Sequence, residues 1–344
     1  MAFDFTKPKI STVSYDLGGK TIVIWGSNRL GKTKQATRLP KPCYLMFEAG
    51  LAGISGVPYF TMNRWEDYTA FVNWASTNAE QARELYGTII LDELSVMGRM
   101  CADYVAASKG VGSLDDLDWG RGYKALEVEF ERYLSKLTKC GFTVMAIGHD
   151  GGSKKLRDPI TGEEREIGFP YGEKKIVSLI CNLFDIIGYV YPTGQLDENG
   201  RPAKSALYLG SRGNVYAGSR FTHLVEYLPE YTAEALTKAV ADAVRAEEEE
   251  SGRPAVSYAT QLEEQQGAVP TDPVEDEKLK EEFARLKEEV FQYAAMLNQA
   301  KRMDEYRKIA NARLGVGQGL NDLPFTREHL EAAKLVLADL KALF

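Results

Sequence analysis

The stretch Gly26-Ser27-Asn28-Arg29-Leu30-Gly31-Lys32-Thr33 decides the fold. It satisfies the pattern G-x-x-x-x-G-K-[ST] in full. The apolar run Thr21-Ile22-Val23-Ile24-Trp25 before it has the composition of a buried strand, and Lys34 to Leu39 after it is compatible with a helix. Strand, glycine loop and helix in that order are the context the motif requires. The glycines let the backbone turn around phosphates, and backbone N–H groups and the helix N-terminus supply positive potential. Lys32 is expected to face solvent and reach the β- and γ-phosphates. The Thr33 hydroxyl is expected to ligate magnesium. The implied cofactors are ATP and Mg²⁺.

Working outward, Thr88-Ile89-Ile90-Leu91-Asp92-Glu93 is an apolar strand that ends in acids. Asp92 is the expected second magnesium ligand. Leu45-Met46-Phe47-Glu48-Ala49-Gly50 ends another strand, and a carboxylate there faces the phosphates, because ligands sit outside the carboxyl ends of parallel strands. Either Glu48 or Glu93 could polarise the attacking water. Val144-Met145-Ala146-Ile147-Gly148-His149-Asp150 places His149 directly after a further strand, where it can sense the γ-phosphate.

Strand-like runs at 21–25, 43–47, 59–62, 88–91, 142–148 and 184–191 alternate with helical periodicity at 65–85 and 123–137. A seventh run, 204–210, pairs with the sixth through the turn signal Asp197-Glu198-Asn199-Gly200. The alternation implies βαβ units and a mostly parallel sheet flanked by helices. The fold class is therefore α/β, a P-loop NTPase core with a twisted parallel sheet and a small C-terminal α-helical module.

The pattern changes after about residue 230. Residues 232–246 read as one helix that closes a core of 1–246. Residues 247–276 read as an acidic disordered linker. Residues 277–344 read as the helical module, with helices at 277–314 and 326–343 separated by Gly315, Gly317 and Gly319. Thr326 is a plausible N-cap. Leu330, Ala333, Leu337 and Leu340 form an apolar stripe, read as core of the module or as a docking face. Lys301, Arg302, Arg307, Lys308 and Arg313 gather before it.

Composition agrees with a globular protein: 344 residues, 44% hydrophobic and 26% charged. The net charge of −7 is uneven. Residues 247–289 hold 14 Asp and Glu against 5 Lys and Arg, which leaves the rest of the chain at +2. No apolar run is long enough to span a membrane, and the charged start of the chain excludes a signal peptide. Cys43, Cys101, Cys140 and Cys181 form no CxxC pair and read as reduced thiols of a cytoplasmic protein.

The phosphate loop, Phe47-Glu48-Ala49-Gly50, Leu91-Asp92-Glu93, Asp118-Trp119-Gly120, Gly148-His149, Phe184-Asp185 and Gly218-Ser219-Arg220-Phe221 together resemble the RecA-like recombinase superfamily. More narrowly, they resemble phage RecA-like ATPases that assist single-strand annealing. The resemblance covers roughly residues 15–235. It implies that Glu48, ahead of Glu93, is the catalytic base and that His149 couples the γ-phosphate to a DNA-binding loop. It also implies that Arg220, with Arg212 in reserve, reaches a neighbouring subunit's nucleotide. A homo-oligomer, ring or filament, with ATP between subunits follows.

Two segments could touch single-stranded DNA. Residues 108–122 are glycine-rich and carry Lys109 and Arg121. Residues 151–175 carry Lys154, Lys155 and Arg157, with Phe169 and Tyr171 available to stack on bases, and Asp158-Pro159-Ile160-Thr161-Gly162 could turn a hairpin. Acids nearly balance these bases. The reading is a DNA-dependent ATPase of phage recombination or replication, with a single-strand-binding or replication protein as its protein partner. Two alternatives stand beside it. One is a helicase or packaging motor, favoured by the pair Asp92-Glu93. The other is a non-hydrolysing, nucleotide-gated adaptor that recruits a replication partner.

Overall fold

A computed structural model describes residues 10–157, 160–196, 204–210, 214–265, 273–314, 319–320, 323 and 327–343. The chain divides into two compact units, Met1–Val269 and Pro270–Phe344.

The first unit opens with β1 (Thr21–Gly26), α1 (Lys32–Ala36), β2 (Pro42–Met46) and β3 (Tyr59–Thr61), followed by α2 (Trp65–Thr77) and α3 (Ala79–Leu85). It continues through β4 (Thr88–Asp92), α4 (Leu94–Ser108), α5 (Arg121–Thr138), β5 (Thr143–Arg157), β6 (Glu164–Pro170) and α6 (Lys174–Leu183). It closes with β7 (Ile186–Tyr191), β8 (Ala206–Tyr208), β9 (Gly218–Ser219), β10 (Tyr227–Leu228), α7 (Ala233–Ser251) and α8 (Tyr258–Gln265).

The strands β7-β1-β5-β4-β2-β3 lie side by side in that order and all run parallel. β8 and then β10 continue the sheet antiparallel beyond β7. A parallel sheet needs cover on both faces, and β1 shows how its sequence provides for that. Side chains alternate across a strand, so Val23 and Trp25 enter one core with Leu45, Trp65, Ile89 and Phe130. Ile22 and Ile24 enter the opposite core with Tyr44, Met145, Leu236 and Val240. Each fully buried apolar side chain of this kind contributes about 1.5–3 kcal/mol. The α/β class with a mostly parallel sheet is the class read from the sequence.

Several expected elements differ in detail. The helix expected over 65–85 breaks at Asn78, whose φ of −115° and ψ of 46° leave the helical region. The helix expected over 277–314 breaks at Lys301, which has a φ of 60°. The turn 197–200, Gly315, Gly317 and the expected cap Thr326 lie outside the described residues.

The expected linker is corrected at its start. Glu247–Ser251 continue α7, and Val256 bridges to Ser14. Tyr258, at the start of α8, packs so closely on the core that a Cβ on Gly18 would lie 2.3 Å from its ring. The Gln261 amide donates to the Thr12 carbonyl at 2.7 Å. An acidic composition suggested a solvated segment, yet Tyr258 packs against Gly18 and Leu262 against Gly141. Residues 266–272 lie outside the described residues.

In the second unit, α9 (Pro273–Gln299), α10 (Met303–Leu314) and α11 (Arg327–Lys341) share a core of their own. Leu330, Ala333, Leu337 and Leu340 all lie in it, with Phe283, Val290 and Leu297. The apolar stripe therefore serves the module itself. Three of its bases are ion-paired: Arg302 with Glu305, Arg307 with Asp304 and Arg313 with Asp339. Among the described residues no helix is long and apolar enough to cross a membrane.

Candidate nucleotide-binding site

The phosphate loop leaves the carboxyl end of β1 through three residues of positive φ. Gly26 has a φ of 144°, Arg29 of 65° and Gly31 of 83°. Gly26 is required twice over, because a Cβ there would also lie 2.5 Å from the Val190 carbonyl oxygen of β7. Across the sheet Gly26 pairs with His149 of β5. The Tyr44 hydroxyl on β2 donates to the Thr33 carbonyl at 2.6 Å and pins the start of α1.

Lys32 corrects the expectation of a solvent-facing side chain. It is only 5% exposed, and its ammonium donates to the Gly26 and Ser27 carbonyls, each at 2.7 Å. Burial pushes its pKa down to about 8 against the opposing pull of Asp92, Asp150, Glu93 and Glu48. An ammonium has three donors, and two of them hold the loop closed around it.

Asp92 ends β4 beside Thr33, whose hydroxyl donates to Asp92 Oδ2 at 3.1 Å. Burial pushes the carboxyl up to about 6. The Thr33 hydrogen bond opposes this, Glu48 and Glu93 add to it, and His149 opposes it. The two expected magnesium ligands are thus adjacent. Hydroxyl and carboxylate oxygens are the donors a hard divalent cation takes, and Asp92, Glu48 and Glu93 together outweigh the charge of Lys32. The residues fit Mg²⁺.

The two glutamates separate in role. Glu93 is 1% exposed and caps α4: Oε2 accepts from the Ser95 N–H at 3.0 Å, and Oε1 from the Val96 N–H at 2.9 Å and the Ser95 hydroxyl. Glu48 follows β2 with its side chain 41% exposed, and its Oε1 lies 3.4 Å from His149 Nε2. Glu48 borders a cavity of about 730 Å³ whose wall includes Met46, Met62 and Met100. Ligand atoms of Glu48, Glu93 and His149 all lie within 4.8 Å of one another. The four separate sequence signals therefore converge on one place, the carboxyl ends of β1, β2, β4 and β5.

A family model described as an AAA domain matches residues 19–221, from just before β1 to just after β9. The chain belongs to that AAA-domain family. This AAA-domain protein is also similar to the SPbeta prophage-derived uncharacterized protein YorG of Bacillus subtilis (strain 168). The two are 34% identical over 344 residues, which is 100% of this chain and 99% of that protein. The AAA domain makes the site that of a P-loop ATPase and implies a bound nucleotide with magnesium.

Arg220, expected at a neighbouring subunit's nucleotide, is not part of the AAA domain's own phosphate site. Arg220 lies at the amino end of β7, paired through Nη1 with Asp185 at 3.3 Å and donating from Nη2 to the Asn182 carbonyl at 2.7 Å. Asp185 also accepts from the Thr21 N–H at 2.9 Å, so Arg220 braces the edge of the sheet opposite the phosphate loop. Arg212 lies outside the described residues.

The expected hairpin at 151–175 is present: β5 runs on past His149 to Arg157 and returns antiparallel as β6. The proposed turn residues Asp158 and Pro159 lie outside the described residues. Phe169 is not available for stacking. Its ring stacks on Tyr216 at 5.0 Å and is covered by the Lys154 ammonium at 4.6 Å. Lys155 is 3.8 Å from Glu164, and Arg157 donates to the Gly162 carbonyl. Tyr171 is 53% exposed. Lys109 and Arg121 are exposed on a different segment, after α4 and at the start of α5.

Two participants escaped the sequence reading. Ser95 fixes Glu93, a role that the order Glu-Leu-Ser at a helix start could have signalled. Asp150 acts on Lys32 from the strand beyond His149, and only the pairing of β5 with β1 brings it there.

Proposed function

We propose that this protein is an ATP-hydrolysing, RecA-like ATPase that acts on single-stranded DNA during recombination, annealing or replication of a phage. The observation that carries the proposal is the continuity of β5. Its buried part ends at Gly148, His149 follows beside Glu48, and the same strand continues into the exposed hairpin bearing Lys154, Lys155 and Arg157. A change at the γ-phosphate end can thus be transmitted along one strand to the hairpin that carries these three bases. The prophage origin named for the similar Bacillus protein supports the setting.

In this reading Lys32 and the amides of the phosphate loop hold the β- and γ-phosphates. Thr33 and Asp92 would hold magnesium, which when bound would neutralise charge developing on the phosphates. The nucleoside extends into a cavity of about 480 Å³ that borders Arg29, Leu30, Gly31 and Gln35. Glu48 takes the proton of a water whose oxygen attacks the γ-phosphorus, and the bond to the β–γ bridging oxygen breaks to release ADP. His149 orients Glu48. Glu93 caps the start of α4, which favours Glu48 over Glu93 as the base. Subunits assemble with the nucleotide between them.

The test is ATP turnover with and without single-stranded DNA, repeated at two salt concentrations because phosphate contacts weaken with salt. Stimulation by single strands, lost at high salt, is the expected result. Turnover indifferent to DNA at low salt would sink the DNA-linked reading and leave the ATPase.

A further inference from the structure

Four consecutive glutamates, Glu247 to Glu250, occupy the last turn of α7, which ends at Ser251 with Gly252 as its left-handed cap. That turn carries the negative end of the helix dipole, so acids there are unfavourable unless something positive is near. Glu248 is already engaged: it accepts from the Tyr15 hydroxyl and from the Ala255 N–H. Glu247 and Glu250, one turn apart on the same face, both point to His223.

The imidazole Nε2 of His223 lies 3.5 Å from Glu247 Oε2 and 2.6 Å from Glu250 Oε2, and the three ligand atoms all lie within 4.8 Å of one another. Nε2 is shielded from water, yet it makes no aligned hydrogen bond despite the short approach of Glu250. The three groups are close together without an aligned hydrogen bond at Nε2. Donors that share a zinc ion at about 2.0–2.2 Å sit roughly 3–3.5 Å from each other. Glu247 already meets that separation. Glu250, whose side chain is 70% exposed, reaches it by a small rotation.

We propose that His223, Glu247 and Glu250 form a site for a divalent transition-metal cation, of which zinc is the reference case. One imidazole and two carboxylates suit such borderline cations better than magnesium or calcium, which take oxygen alone. The bound cation joins the end of α7 to the segment before β10 and offsets the acidic helix terminus. It is separate from the other group of close ligand atoms, Glu48, Glu93 and His149, at the phosphate loop.

The experiment uses the full chain, stripped with a chelator and dialysed against Zn²⁺, with Co²⁺ absorption as a second readout. Because Glu48, Glu93 and His149 could also take zinc, the stoichiometry is measured in wild type, His223→Asn and His149→Ala. The site predicts binding in the micromolar range or tighter, one equivalent lost in His223→Asn and that equivalent kept in His149→Ala. Glu247→Gln should weaken binding by about 10-fold or more, with folding checked by circular dichroism. Melting temperature should rise with zinc in wild type, as ligand linkage requires, and not in His223→Asn. Equal zinc content in wild type and His223→Asn would overturn the proposal. Binding only at millimolar zinc, or loss of all zinc in His149→Ala, would do so as well. A cluster that responds to pH but to no metal is a plain histidine–glutamate ion pair and would also overturn it.

Discussion

His149 and Glu48 meet across the end of β4, Nε2 to Oε1 at 3.4 Å, although the strands that carry them are not neighbours. Asp92 of β4 pairs with Met46 on one side and Ile147 on the other. Glu48 and His149 each lie two residues further along. The register of three strands therefore sets Glu48, Asp92 and His149 side by side.

Glu48→Gln should lower ATP turnover by about 100-fold or more, as loss of a general base does, while nucleotide affinity is kept. Glu93→Gln should act mainly on stability, by about 1 kcal/mol through the weakened cap of α4. Turnover, nucleotide affinity and melting temperature of both variants decide the matter. Wild-type turnover in Glu48→Gln, with loss in Glu93→Gln, would reverse the assignment.

Lys32→Ala should abolish turnover and also lower stability by roughly 1–3 kcal/mol, because the buried Gly26 carbonyl and the partly covered Ser27 carbonyl lose their donor. Chemical denaturation of the nucleotide-free protein measures the second effect. No change in stability would mean that the ammonium does not hold the loop.

Affinity for Mg-nucleotide should peak between two limbs. Asp92 ligates as the anion, and its carboxyl is pushed up to about 6, so affinity falls as pH drops through that value. Lys32 binds phosphate as the cation, and its pKa is pushed down to about 8, so affinity falls as pH rises through that value. Binding measured from pH 5 to pH 9 tests both limbs, and a flat profile would refute them.

A chain ending at Val269 should fold and keep turnover. One ending at Ala246 loses the last turn of α7 and the packing of Tyr258 on Gly18, and should melt lower. Tyr258 is half-buried, so the loss should be less than the about 3–5 kcal/mol of a fully buried aromatic. Identical melting of the two truncations would return the boundary to residue 246.

Replacing Lys154, Lys155 and Arg157 together with Ala should weaken single-strand binding and flatten its salt dependence. Phe169→Ala should instead lower stability, since its ring is occupied by Tyr216. Filter binding at several salt concentrations, beside thermal melts, separates the two effects. Undiminished affinity in the triple variant would remove the hairpin from the DNA reading.

What the sequence by itself determined is local. The glycine loop after β1, the acid ending β4 and the continuous apolar run of β1 are properties of neighbouring residues, and backbone sterics and hydrophobic burial act on them directly. The tertiary structure decided the rest. Glu48 and Glu93 are equivalent as sequence, each an acid after an apolar strand. Only the start of α4 at Leu94 commits Glu93 to backbone N–H groups, and only the β5-β4-β2 register sets Glu48 beside His149. Lys32 is a charged residue in a loop until the fold buries it. Arg220 is a conspicuous base until Asp185 holds it at the far edge of the sheet. The acidic stretch from Glu247 belongs to the first unit because Tyr258 reaches Gly18, a contact across 240 residues of chain. In each case a long-range partner decides which of several locally equal options is taken, and local composition does not encode that partner.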